Sequence, residues 1–225
     1  MADGNLVRLG GVFGLLAVVA NIPGYLVGYP DAASSPAEAG SYLDSGFGTF
    51  VFYNGVLPLF HSFFFVLFLG VLYGMLRHAL DDAHRGVGLP AAALAGGIVF
   101  VGLQAAGFAV EIVYPETLLS FEGIEPDERV GLMSLILSLW LFHFCQVGAS
   151  AMVLVTSLVA LGTGVLPRWL ALVGFVVALL TLLHFLLPLL GALAGLAWVA
   201  VVSLLMLTGG VGSSGGDPRR QSVRR

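Results

Sequence analysis

Charged residues in this chain fall in short islands, and the stretches between them are apolar over lengths no soluble core requires. The most extreme runs from Val130 to Pro167, 38 residues without a charge between Arg129 and Arg168. A membrane-crossing helix needs about 20 apolar residues at about 1.5 Å rise each. Two crossings would need about 40 residues of core plus a turn, and no break precedes Gly162. The stretch therefore predicts one long helix over 131–163 whose first turns project beyond the hydrocarbon.

The same reading along the chain predicts five further spans. The first covers 6–29, with Asn21 and Pro23 marking a local kink. Val18-Val19-Ala20 has the small-residue character of a signal-peptidase site, but the apolar run continues to Val27, so this span is expected to be retained. Gly10/Gly14 and Gly24/Gly28 are spacings that let helices approach closely. A loop over 31–44 follows, in which Ser35-Pro36-Ala37-Glu38 resembles the start of a short interfacial helix. The second span covers 49–76 and ends at Arg77. The third covers 90–114 and opens on Pro90, a favoured first-turn residue. After the long fourth span, 48 uncharged residues between Arg168 and Asp217 hold two more, 167–187 and 190–208, broken at Pro188 and Gly191. The expectation is an all-α polytopic bundle of six transmembrane helices over 1–208, followed by a flexible arginine-containing tail, 209–225.

Charge orients the bundle. With the N-terminus inside, the inner segments hold Arg8, Arg77, Arg85, Arg168, Arg219, Arg220, Arg224 and Arg225, leaving Arg129 outside. The outer segments carry eight of the thirteen acidic residues. Arginine enrichment in cytoplasmic loops predicts both termini in the cytoplasm and a multi-pass protein of the cell membrane, with the lipid bilayer as its main partner.

Composition narrows the chemistry. Apolar residues make up 58% of the chain and charged ones 10%, with a mean hydropathy of +1.00, so no water-soluble shell can be built. There is no lysine, which excludes Schiff-base cofactors and a P-loop. Cys145 is the only cysteine, which excludes an internal disulfide, a CxxC redox pair and c-type haem attachment. A net charge of -4 leaves no electrostatic footprint for nucleic acid.

Gly164-Val165-Leu166-Pro167-Arg168-Trp169-Leu170, leading into a Val/Leu/Gly-rich helix, resembles a signature of uncharacterised prokaryotic six-helix membrane proteins with a domain of unknown function. The acidic loop after the first span and the arginine ending the second are similar to that group as well. The resemblance implies the fold and a membrane location and brings no activity or site residues. Physically, Pro167 starts a helix, Arg168 anchors it among headgroups and Trp169 sits at the interface.

Ionisable groups inside a bilayer are expensive and mark function by default. Here they are His61, Glu111, His143 and His184. Counted from the inner anchors at about 1.5 Å per residue, all four fall in the outer third of a core about 30 Å thick. Three expectations follow from the common depth. All four together would form a tetrahedral site for zinc or another divalent metal, with Glu111 as ligand or base, and so a membrane-embedded metalloenzyme. His61 and His143 would serve as axial ligands of a b-type haem. The leading expectation is a polar pocket of Gln104, Glu111, His143 and Gln146, with Asn54 and Tyr114 nearby, that binds or passes a small ligand or ion. The rival classes are the metalloenzyme and a non-catalytic subunit or scaffold.

Overall fold

The computed structural model describes residues 4–26, 50–82, 88–125 and 127–211. Among them are six long helices, one π-helical turn and no strand. They are α1 (Gly4–Leu26), the π turn Phe52–Val56 running into α2 (Leu57–Asp82), α3 (Gly88–Ser120), α4 (Glu128–Thr163), α5 (Arg168–Leu182) and α6 (Pro188–Thr208). The expected loop over 31–44, the end of the first predicted span and nearly all of the arginine tail lie outside the described residues.

Five helices are long and apolar enough to cross a membrane. The long fourth helix is one uninterrupted element of 36 residues, started by Asp127, whose side chain accepts from the Arg129 N–H, and ended by Gly164 in the left-handed region at φ 73°. α3 runs past the expected end at 114, through Pro115, to Ser120. The Asp127 N–H donates to the Tyr114 hydroxyl at 2.6 Å, which fastens the acidic apex of the α3–α4 hairpin.

The fifth predicted span, 167–187, is cut short. α5 has 15 residues and ends at Leu182, a length of about 22 Å. Residues 183–187 are a turn because Pro188 opens α6: it brings no N–H back to His184 and restricts Leu187, its neighbour. Four of its N–H groups have backbone acceptors close by. Leu183 N–H donates to Leu179 O, His184 N–H to Thr181 O, and the Leu186 and Leu187 N–H groups to Leu183 O.

Consecutive helices pack antiparallel, and α1 closes the ring against α6. Small residues set the closest approaches. A Cβ on Gly148 of α4 would stand 2.6 Å from the Gly96 carbonyl oxygen of α3, so the two backbones touch and only glycine fits. Gly10 of α1 faces Val71 and Met206, which places the start of α1 level with the end of α6. Inside the ring lie Phe65, Phe68, Leu72, Met152, Leu170 and Met206. The exterior is apolar too, with Leu59, Phe63, Met133 and Val176 all exposed. An apolar surface over an apolar core is what a hydrocarbon solvent selects.

Candidate functional site

Most of the buried amide and ionisable side chains, namely Asn21, Asn54, His61, Gln104 and Glu111, lie on α1, the π turn, α2 and α3. His61 of α2 is 0% exposed. Its Nδ1 lies 2.9 Å from the Ala17 carbonyl oxygen of α1, and its Nε2 lies 2.8 Å from Gln104 Oε1 of α3. One imidazole therefore ties three helices together. Phe65 and Phe100 pack on the ring, with centroids 5.4 and 6.3 Å away.

This pairing serves both protonation states of the ring. With the amide oxygen facing Nε2, both ring nitrogens face acceptors, an arrangement suited to the doubly protonated ring. Turning the Gln104 amide presents its NH2 to Nε2, and a neutral ring then keeps Nδ1–H donating to Ala17. In either state both ring nitrogens keep a partner.

A second layer lies further along the same helices. Gln104 and Glu111, Asn54 and His61, and Ala17 and Gly24 are each seven residues apart, which is about 10 Å along a helix. Because neighbouring helices are antiparallel, Gly24, Asn54 and Glu111 sit on the same side of the His61 layer. Asn54 Oδ1 lies 3.4 Å from the position a Cβ would take on Gly24, and Phe108 of α3 comes within 3.9 Å of the same point. Gly55 packs against Ile112. Glu111 is 0% exposed, and Asn21, between the two layers on α1, is 1% exposed.

The expected pocket of Gln104, Glu111, His143 and Gln146 is divided. Gln104 and Glu111 share the buried face of α3. Gln146 lies beyond the Phe65 and Phe100 rings, on a cavity of about 20 Å³ that it lines with Met152, Ala192 and Leu196, room for one water. Its Nε2 donates to Cys145 Sγ at 3.7 Å. His143 turns the other way, toward α5, where its ring meets that of His184 at 5.2 Å between centroids, with Trp140 behind it at 5.6 Å.

The metal set His61, Glu111, His143 and His184 does not assemble: no three such side chains converge on a possible metal site among the described residues. Equal depth leaves the direction around each helix open, and His61 and His143 face different neighbours. The haem expectation meets an engaged His61: its ring nitrogens already face Ala17 O and Gln104, so iron would have to displace Gln104 from Nε2.

Asn21 went unrecognised as a site residue in the sequence, where it reads as a kink. The signal was present, since it is the one amide in an otherwise apolar span. No protein-family model, curated protein or solved structure matches this chain.

Proposed function

We propose that this chain is a six-helix protein of the cytoplasmic membrane, both ends cytoplasmic, which binds or passes a small ion through a polar column in the outer half of its α1–α2–α3 sector. The distribution of arginine supports the orientation. The packing of Gly10 against Met206 supports an even number of crossings, since it sets the two chain ends at one level.

In this topology the α5–α6 turn stays within the hydrocarbon. His184 meets His143, which lies sixteen residues, or about 24 Å, below Asp127 at the α3–α4 apex. Phe185, Leu186, Leu187, Leu189 and Leu190 are all exposed around the turn. A turn with most of its N–H groups bonded locally and an apolar surface suits lipid and would suit water poorly.

The observation that carries the ionic reading is the His61–Gln104–Ala17 arrangement, which gives each ring nitrogen a partner whether the ring is neutral or protonated. Glu111, two turns outward on α3, supplies the acidic group of such a relay. The test is proton flux into liposomes carrying the purified protein and an entrapped pH indicator. Wild type should exceed empty liposomes, with His61→Leu and Glu111→Gln slowing the flux by an order of magnitude and His143→Ala leaving it unchanged. Wild-type flux no faster than that of empty liposomes would refute the reading, as would full flux in His61→Leu.

A further inference from the structure

A cleft of about 600 Å³ opens on the outside of the bundle between α1 and α2. Its α2 wall runs from Val66 to His78 and its α1 wall from Leu6 to Phe13, and every lining residue except His78 is apolar. The twelve residues from Val66 to His78 extend about 18 Å, close to the about 15 Å of one leaflet in a core about 30 Å thick. Phe13 stacks on Phe64 where the cleft ends, with ring centroids 6.3 Å apart. Beyond that point α2 carries exposed Phe63, Phe60 and Leu59.

Glycine keeps the cleft open. Gly10, Gly11 and Gly14 of α1 stand where neighbouring helices leave no room for a Cβ. Gly70 and Gly74 differ, since both are exposed and a Cβ on either would meet nothing within 4 Å. Packing within the chain does not call for them, and each is a poorer helix former than alanine.

The mouth of the cleft is cationic. Arg77 is seven residues from Gly70 and three from Gly74, so it shares their face of α2, and it is exposed beside His78. It meets Asp81 at 3.9 Å, with both side chains more than half exposed. Such a pair is weak and leaves most of the five guanidinium donors for another acceptor. Gly10 faces Val71, so Arg8 of α1, also exposed, lies near the same end.

The dimensions select the occupant. A helix from a second copy would cross both leaflets and run onto the Phe63–Leu59 ridge. The tail 212–225 has Val223 as its one aliphatic side chain and cannot fill an apolar cleft. An acyl chain of one leaflet's length beneath an anionic headgroup matches the length, the apolar walls and the charge, because arginine pairs well with phosphate and basic pockets between membrane helices hold lipid headgroups.

We propose that the α1–α2 cleft binds an anionic phospholipid, with one acyl chain lying over Gly70 and Gly74 and the phosphate at Arg77. The site stands apart from the ion reading, and only the assignment of its leaflet as cytoplasmic rests on the orientation proposed above.

The test is native mass spectrometry of the full chain in detergent with phosphatidylglycerol or phosphatidylcholine of the same acyl chains. Wild type should retain one phosphatidylglycerol, bound about fivefold or more tighter than phosphatidylcholine through its juxtamembrane arginine. Gly74→Leu introduces a good helix former into open space and fills the cleft, so it should weaken both lipids about tenfold. Arg77→Gln should abolish the preference and keep phosphatidylcholine binding. Gly102→Leu, at an exposed glycine of α3 with equally open surroundings, should bind as wild type does. Circular dichroism confirms that each variant is folded. Equal binding of the two lipids by wild type would overturn the proposal, as would undiminished binding in folded Gly74→Leu, an equal loss in Gly102→Leu, or a preference that survives Arg77→Gln. A wild-type dimer that phosphatidylglycerol leaves intact and Gly74→Leu dissociates would also overturn it, assigning the cleft to a second copy.

Discussion

The two halves of the ring treat their polar residues in opposite ways. Between α1, α2 and α3, the His61 imidazole and the Gln104 amide bond across helices and are sealed from the surface. In the α4–α5–α6 half, the hydroxyls of Ser157, Thr163 and Thr181 fold back on their own helices, and Ser150 reaches across to Ala178 O at 2.7 Å. The histidines of that half meet each other against Trp140, with His143 partly exposed. Three histidines at similar depth thus have different meanings. An imidazole whose two nitrogens are both claimed by other helices is part of a built polar site, whereas an aromatic pair at the edge of the bundle is packing.

The hairpin apices repeat the contrast. α3 and α4, at 33 and 36 residues, reach about 50 Å and end in exposed Glu122 and Glu125. α5 stops after 15 residues, and its apex exposes leucine and phenylalanine. In membranes, a water-soluble maleimide should therefore label a Glu122→Cys protein at least an order of magnitude faster than a Leu186→Cys protein, since thiolate chemistry needs water. The native Cys145 is fully buried and contributes little background. Equal labelling would place both apices in water and remove the contrast.

Stability sharpens the comparison between the histidines. His61→Leu leaves Gln104 buried without its partner and should cost about 1–3 kcal/mol in reversible unfolding. His61→Leu combined with Gln104→Leu should recover part of that loss, because both polar groups are then gone. His143→Ala, which removes a partly exposed ring whose buried Nδ1 has no hydrogen-bond partner among the described residues, should cost less than His61→Leu. The reverse order would mean that the α4–α5 pair is the stronger structural element. The smallest effect is expected at Ser150→Ala, about 0.6 kcal/mol for one interhelical hydroxyl bond in a membrane protein. A loss comparable with that of His61→Leu would show that the second half also depends on polar cross-links.

Much of the architecture was legible in residue order. The helices over 90–114 and 131–163 lie inside the observed α3 and α4, and the predicted break between the last two spans falls at Pro188. The errors were of length and of direction. The span drawn over 167–187 counted apolar residues without regard to the turn that Pro188 forces into residues 183–187. The site drawn from four ionisable residues used depth alone. Gln104 and Glu111 were expected to share a face, and both are buried on α3. Gln146, also expected to join them, lines a small cavity with the Phe65 and Phe100 rings, and His143 faces His184 of the α5–α6 turn.

By itself, the sequence determined that this chain forms long apolar helices, because a backbone in hydrocarbon must satisfy its hydrogen bonds within each segment. It also determined, through heptad spacing, which polar residues share a helix face. Only the tertiary structure decided which face meets which, because rotation about a helix axis is set by close packing. Glycine contacts such as Gly96 on Gly148 and the reach of His61 to Ala17 and Gln104 are long-range events that no local pattern of residues records.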